Sequence, residues 1–111
     1  MNNHLDEVKS MLRNAIVNKA YTERGKFCQS FALIAKFCGW QWRFKEILME
    51  DITYTYDMLT EKCLDRVMKI DEKALMGENM VIGCATGRIN FDVIYYVETH
   101  SVRVQITADI H

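Results

Sequence analysis

The residues of this chain whose types suggest chemistry are its four cysteines and three histidines. Zinc sites built from cysteine need clustered pairs such as Cys-x-x-Cys, whereas here the cysteines are 10, 25 and 21 positions apart. Three of them, Cys28, Cys38 and Cys63, lie among apolar residues that recur at helical spacing. The fourth, Cys84, lies on the inner face of a predicted strand. We therefore interpret all four as buried free thiols.

The histidines lie at one terminus (His4), in a predicted turn (His100) and at the other terminus (His111). We interpret each as solvated rather than as a metal ligand, although histidines that are distant in sequence can converge in a fold. The sequence therefore predicts no metal site and no cofactor.

Two further patterns contain residue types that occur in catalytic sites. The segment Gly83-Cys84-Ala85-Thr86-Gly87 has a cysteine near two glycines, but a nucleophile elbow centres its nucleophile and then enters a helix, whereas this segment turns into a strand. Glu46 and Glu50, like Asp57 and Glu61, share a helix face at spacing four without a companion histidine or a third acid. We assign no catalytic residue and predict that the protein is not an enzyme.

Before about Ile70 the apolar residues recur at helical spacing, which predicts three helices. The first begins at an Asn3 cap and has the apolar line Leu5, Val8, Leu12, Ala15 and Ile16. The second carries Phe27, Phe31, Ile34 and Cys38 and ends at Gly39. The third follows Asp51 and carries Ile52, Tyr56, Leu59, Cys63, Val67 and Ile70. A turn and a short helix are predicted between the last two, at Trp40, Trp42, Phe44, Ile47 and Leu48.

From Met80 onward the apolar residues alternate with polar ones, which predicts three strands. A type II′ turn at Gly87-Arg88 sets Cys84 opposite Phe91, Ile82 opposite Val93, and Met80 opposite Tyr95. A two-residue loop at Thr99-His100 sets Tyr95 opposite Val104, Phe91 opposite Ala108, and Tyr96 opposite Arg103. Thr-His is poor turn chemistry, so a longer loop that keeps the same parity stays open.

These elements predict an α+β fold in which three N-terminal helices, plus a short one, pack on one face of a three-stranded antiparallel meander. We expect a single domain over residues 1–111, with a helical part at 3–70 and the meander at 80–110, because no linker or repeat interrupts the chain. The first residues lack a basic stretch followed by an apolar one, and no apolar run approaches the roughly 20 residues that span a bilayer. We expect a cytoplasmic location and no membrane contact.

The outer face of the predicted sheet is the candidate interaction surface. Val81, Ile94 and Tyr96 interrupt an otherwise polar set there, which includes Arg103 and Gln105. These five residues are the predicted partner-binding residues. The two edge strands carry no proline and no inward charge, so we expect pairing with a partner's strand or with a second copy across a two-fold axis. Arg103→Pro with Gln105→Pro is expected to abolish such pairing. An N-terminal helix that crosses to the outer face is the alternative.

Elimination favours a small non-catalytic protein–protein interaction module, such as an adaptor, accessory subunit, immunity protein or inhibitor, whose partner the sequence does not identify. One alternative is a DNA-binding regulator with a helix-turn-helix at 27–50, which the net charge of −1 and the pI near 6.3 disfavour. The other is a small-molecule binder or enzyme with a pocket between helices and sheet, lined by Trp40, Trp42, Tyr95 and Cys84.

Overall fold

The computed structural model describes residues 3–37, 49–86 and 88–108. These ranges contain two α-helices, α1 (Asn3–Phe37) and α2 (Met49–Met68), and a short 3-10 helix (Glu72–Leu75). They are followed by three strands, β1 (Asn79–Thr86), β2 (Ile89–Tyr96) and β3 (Ser101–Ala108), in the spatial order β1-β2-β3. The α+β class and the antiparallel meander are confirmed. The prediction of three N-terminal helices is wrong for the described ranges.

The first two predicted helices are one continuous helix. The apolar line that contains Leu12, Ile16 and Ala20 is buried, and the next position along it is the charged residue Arg24, which lies between the apolar lines of the first two predicted helices. In the structure the Arg24 guanidinium donates two hydrogen bonds to the Asp57 carboxylate of α2, at 2.8 and 2.9 Å. The charged residue thus stays on the seam between the helices, and the helix continues through it.

Helix α2 agrees with the third predicted helix. Its side chains at Ile52, Tyr56, Leu59, Cys63 and Val67 are buried, and the threonines near its start are helical. The Tyr56 hydroxyl donates to the Ala20 carbonyl of α1 at 2.7 Å, so the polar end of this buried ring is satisfied. Its ring also lies 5.1 Å, centroid to centroid, from that of Phe91 on β2, in an edge arrangement that ties both helices to the sheet.

The register between β1 and β2 is the predicted one. Met80 pairs with Tyr95, Ile82 with Val93, and Cys84 with Phe91. All these inward side chains are buried. The pairing of Thr86 with Ile89 leaves a two-residue connection, although the type of turn at Gly87 lies outside the described residues.

The register between β2 and β3 differs from the prediction by two residues. Tyr95 pairs with Val102, not Val104, and Phe91 pairs with Ile106, not Ala108. The connection is a four-residue loop, 97–100, in which His100 adopts a positive φ of 51°. This agrees with the poor turn chemistry of Thr-His. Because the shift is even, every side chain keeps its predicted face, so the parity of the pairing is confirmed.

Both helices cover the same face of the sheet. Helix α2 packs against β1 and β2, while α1 packs mainly against β3. The α1 helix therefore does not cross to the outer face, and no described element covers that face. The described residues measure 54 × 22 × 19 Å, and the long dimension matches a 35-residue helix at about 1.5 Å per residue. The predicted turn and short helix at Trp40, Trp42, Phe44, Ile47 and Leu48 lie outside the described residues.

Candidate partner-binding surface

The five residues predicted to bind a partner lie together on the open face of the sheet. Val81, Ile94 and Arg103 form one row across the three strands. Tyr96 and Gln105 flank this row, since they pair with Ser101 and Asp92 respectively. The predicted pairing of Tyr96 with Arg103 is wrong because of the two-residue shift in register. Val81 is 64% exposed, and Arg103 and Gln105 are also exposed, so the surface is accessible.

The hydrogen-bond pattern fixes which backbone groups of each edge strand point outward. Val97 N–H donates to the Glu78 carbonyl at 3.0 Å, so these two residues form a hydrogen-bonded pair. Such pairs alternate with non-bonded ones in an antiparallel ladder. The even-numbered residues of β1 therefore point their N–H and C=O groups toward β2, and the odd-numbered ones point them toward the edge.

The edge of β1 is partly capped by a side chain. Gly83 is one of the residues whose carbonyl points outward, and the Arg66 guanidinium of α2 donates a hydrogen bond to it. Helix α2 and the 3-10 helix both pack beside this strand. Proteins protect edge strands by covering them in this way. A strand that added to β1 would have to displace Arg66.

On the edge of β3 it is the even-numbered residues that point their N–H and C=O groups outward, and no described side chain covers these groups as Arg66 covers Gly83. The odd-numbered residues of β2 bond to β1, so its even-numbered residues bond to the odd-numbered residues of β3. The N–H and C=O groups of Val102, Val104, Ile106 and Ala108 thus face outward. Within the described ranges, no hydrogen bond reaches these groups. This edge is long enough for a partner strand of seven or more residues to pair along it.

The parity also corrects the variant proposed from the sequence. Arg103 and Gln105 direct their N–H groups toward β2, because they pair with Ile94 and Asp92 in the bonded rows. Proline at these positions would remove hydrogen bonds inside the sheet rather than block its edge. Val104 is the position at which a proline blocks the edge and leaves the internal ladder intact.

A groove of about 220 Å³ runs beside the edge of β3. Helix α1 forms one wall with Lys19, Glu23 and Phe27, and β3 forms the other with residues 104–107. The Lys19 ammonium and the Glu23 carboxylate are 3.4 Å apart and line the rim. The inward side chains of β3 are only half-buried, unlike those of β2. The groove therefore offers apolar surface next to unpaired backbone.

A second groove, of about 370 Å³, lies on the helical side of the molecule between α1 and α2. Val17 and Tyr21 line it, and the ion pair of Arg24 and Asp57 lies at its end. Tyr21 is 83% exposed. No described backbone donors or acceptors of a strand edge open into this groove, since both walls are helices.

Two of the histidines converge at the loop before β3. The rings of His4 and His100 stack with centroids 5.8 Å apart. His100 Nε2 lies 3.5 Å from Glu7 Oε1, and its Nδ1 lies 2.7 Å from the Tyr95 hydroxyl. These contacts tie the start of α1 to the β2–β3 loop. Among the residues that the structure describes, no three His, Cys, Asp or Glu side chains are grouped so that they could hold a metal ion.

The prediction of buried free thiols is confirmed for Cys28, Cys63 and Cys84. Burial raises the pKa of Cys63 to about 12, and the hydrogen bond to Cys84 contributes. A thiol with so high a pKa is protonated at neutral pH and is a poor nucleophile. Cys84 and Tyr95 lie in the core, while Trp40, Trp42 and Cys38 lie outside the described residues. The pocket proposed from the sequence stays a prediction.

Comparison of the chain with protein-family models, curated proteins and solved structures finds no match. None of the described helices is long and apolar enough to cross a membrane. The sheet edge and its groove are therefore the features from which a function is proposed.

Proposed function

We propose that this protein is a non-catalytic protein–protein interaction module, which binds an extended strand of another protein at the edge of β3. The observation that carries the proposal is the set of outward N–H and C=O groups at Val102, Val104, Ile106 and Ala108, beside a groove of mixed polar and apolar lining. Partner strands that add to a sheet edge gain affinity from such backbone groups and specificity from adjoining pockets.

The contrast between the two edges supports the choice of β3. The edge of β1 is covered at Gly83 by Arg66, a residue of α2. The edge of β3 is adjacent to α1 but keeps its backbone groups free among the described residues. Natural proteins usually protect edge strands because exposed ones pair with other chains. An edge left open next to a protected one favours a binding role for the open edge.

The outer face supplies a secondary contact in this proposal. A partner whose strand pairs with β3 would continue the row of Val81, Ile94 and Arg103 outward. Apolar residues beside an arginine are enriched in interfaces. Adaptor, accessory-subunit, immunity and inhibitor roles all use such a surface, and the chain's geometry is compatible with each.

The experiment compares capture of partners by four tagged forms of the full chain expressed in its own cells. Val104→Pro blocks the edge, and Val104→Ala is the matched control, because it loses the same side chain and retains the N–H. Val81→Pro alters the edge of β1 in the equivalent outward position. We expect a stoichiometric protein with the wild type, Val104→Ala and Val81→Pro, and at least a tenfold loss with Val104→Pro.

Circular dichroism establishes first that each variant is folded. Equal recovery of the partner by all four forms would show that the β3 edge is not the binding site. Loss with Val81→Pro alone would move the site to β1. The DNA-binding and small-molecule alternatives stay predictions, and the described part of the helix-turn-helix segment, residues 27–37, belongs to the long helix α1.

A further inference from the structure

We infer that the strand that pairs with β3 is a single extended segment, which carries an acidic side chain opposite Arg103 and apolar side chains toward α1, and that it is not the β3 strand of a second copy. This inference rests on the proposed function, because it names the chemistry of the partner at the same edge. Three features of the structure carry it.

The position of α1 disfavours a second copy. In an antiparallel pair of β3 strands, the two-fold axis is perpendicular to the sheet, so both α1 helices would lie on the same face. Because α1 contacts β3 more than β2, both α1 helices would lie above a pair of strands that are only about 4.8 Å apart. Packed helices need about 8–10 Å. A lone strand brings no helix and has no such conflict.

The lining of the groove indicates which side chains the added strand carries on its inward face. Residues of that strand opposite Val104 and Ile106 would point toward α1, since residues paired across a ladder share a face. They would meet the Phe27 ring and the aliphatic stems of Lys19 and Glu23. Lys19 and Glu23 already neutralise each other at 3.4 Å. The lining is mixed, but its apolar part, Phe27 with the inward side chains of Val104 and Ile106, lies nearest to such a residue and favours an apolar side chain there. An inward charge would find Lys19 and Glu23 already paired with each other.

Arg103 indicates the charge of the side chain that lies opposite it on the outward face of the added strand. Its neighbour across the ladder is the apolar Ile94, and the nearest acid on the same face is Asp92, which is diagonal to it and pairs with Gln105. Within the described ranges, no carboxylate forms an ion pair with Arg103. An added strand must place one side chain directly opposite Arg103 on the free side. Opposite charges at such positions attract and like charges repel, which favours Glu or Asp there.

The test uses two synthetic ten-residue peptides with alternating valine and threonine. One has Glu at the central outward position, and the other has Lys there. Binding to the full-length protein is measured by fluorescence anisotropy. We expect the wild type to prefer the Glu peptide by at least threefold, and by up to about thirtyfold if each cross-strand pair reaches the upper limit of its range. Arg103→Glu should reverse the preference, and Arg103→Gln should abolish it.

Val104→Pro, with Val104→Ala as its control, locates the peptide and separates this inference from the proposed function. Equal binding of both peptides to the wild type, still lost in Val104→Pro, would overturn the charge assignment and leave the edge as the binding site. Analytical ultracentrifugation gives the mass of the protein alone. A wild-type dimer that Val104→Pro converts to a folded monomer would overturn the inference in favour of a second copy. Absence of binding by either peptide would also overturn it.

Discussion

A proline scan along β3 tests the orientation of its backbone, on which the assignment of the free edge depends. Gln105 pairs with Asp92 in a bonded row of the β2–β3 ladder, whereas Val104 directs its N–H outward. Proline lacks the N–H and is tolerated on an edge strand only where that group faces solvent. The two positions are adjacent in sequence, so the substitutions differ in this one hydrogen bond and in side-chain burial, for which the alanine variants below correct.

The expected magnitudes follow from what each proline removes. Gln105→Pro deletes one ladder bond and leaves the facing carbonyl without its donor, at a cost of roughly 1–3 kcal/mol for the unmet group, in addition to steric conflict with β2. Val104→Pro loses part of a half-buried side chain, at about 1 kcal/mol, and no ladder bond. We expect the Gln105→Pro protein to be less stable than the Val104→Pro protein by about 2 kcal/mol in free energy of unfolding, or ~8–16 °C in Tm for a domain of this size.

The assay is urea unfolding at constant temperature, monitored by circular dichroism, with Val104→Ala and Gln105→Ala as controls for the lost side chains. Each proline variant is compared with its own alanine variant, which isolates the effect of the proline ring. If Gln105→Pro is as stable as Val104→Pro after this correction, or more stable, then the assigned parity is wrong. The outward groups would then belong to the odd-numbered residues, and Val104 would not be the position at which proline blocks docking.

Three other predictions follow from single contacts. Gly25→Ala should raise the free energy of unfolding by about 0.5–1 kcal/mol, because Gly25 lies inside α1 and nothing lies within 4 Å of an added Cβ; a lower Tm would contradict this. Burial raises the pKa of Tyr56 well above its ordinary value. The buried neutral phenol therefore contributes fully to the stability of the protein below about pH 10, and this contribution falls as the pH rises further. Tyr56→Phe should weaken the decline in stability at high pH, and an unchanged pH profile would contradict this prediction. His100→Val should unfold at lower urea than His100→Asn, because a β-branched residue is strained at a φ of 51° and Asn is not; equal midpoints would argue against the loop conformation.

The sheet was predictable from sequence to the extent that side-chain alternation determines it. The pairing of β1 with β2 was correct because Gly87-Arg88 is favourable turn chemistry at a fixed position. The pairing of β2 with β3 was wrong by two residues because alternation determines only the parity of a register. Nothing in the apolar pattern distinguishes Val102 from Val104 as the neighbour of Tyr95, and the four-residue loop decides it.

The long helix could not be predicted from apolar periodicity alone. Arg24 and Gly25 interrupt the apolar line, and each lowers the agreement with a continuous amphipathic helix. Arg24 is accommodated by an ion pair with Asp57, 33 residues away, which becomes visible only when α2 lies beside α1. The apolar residues on both sides of the interruption were nevertheless identified, and Leu12, Ile16 and Cys28 are all buried.

The sequence predicted the face of the candidate site and pairing at a sheet edge, but not which of the two edges is open. Alternation placed Val81, Ile94 and Arg103 on the open face, where the structure has them. The capping of β1 by Arg66 and the outward direction of the β3 amides are properties of tertiary contacts and backbone phase, which leave no signal in residue type. The meeting of His4 with His100 is likewise a consequence of how α1 lies against the β2–β3 loop.

Amide hydrogen exchange of β3, measured residue by residue by NMR in the free protein and in its purified complex with the captured partner, tests the central claim most directly. In the free protein we expect slow exchange at Arg103 and Gln105 and fast exchange at Val104 and Ile106. In the complex the last two should become protected at least tenfold. Slow exchange of Val104 and Ile106 in the free protein, or unchanged exchange in the complex, would contradict the claim that the partner binds by pairing with the β3 edge.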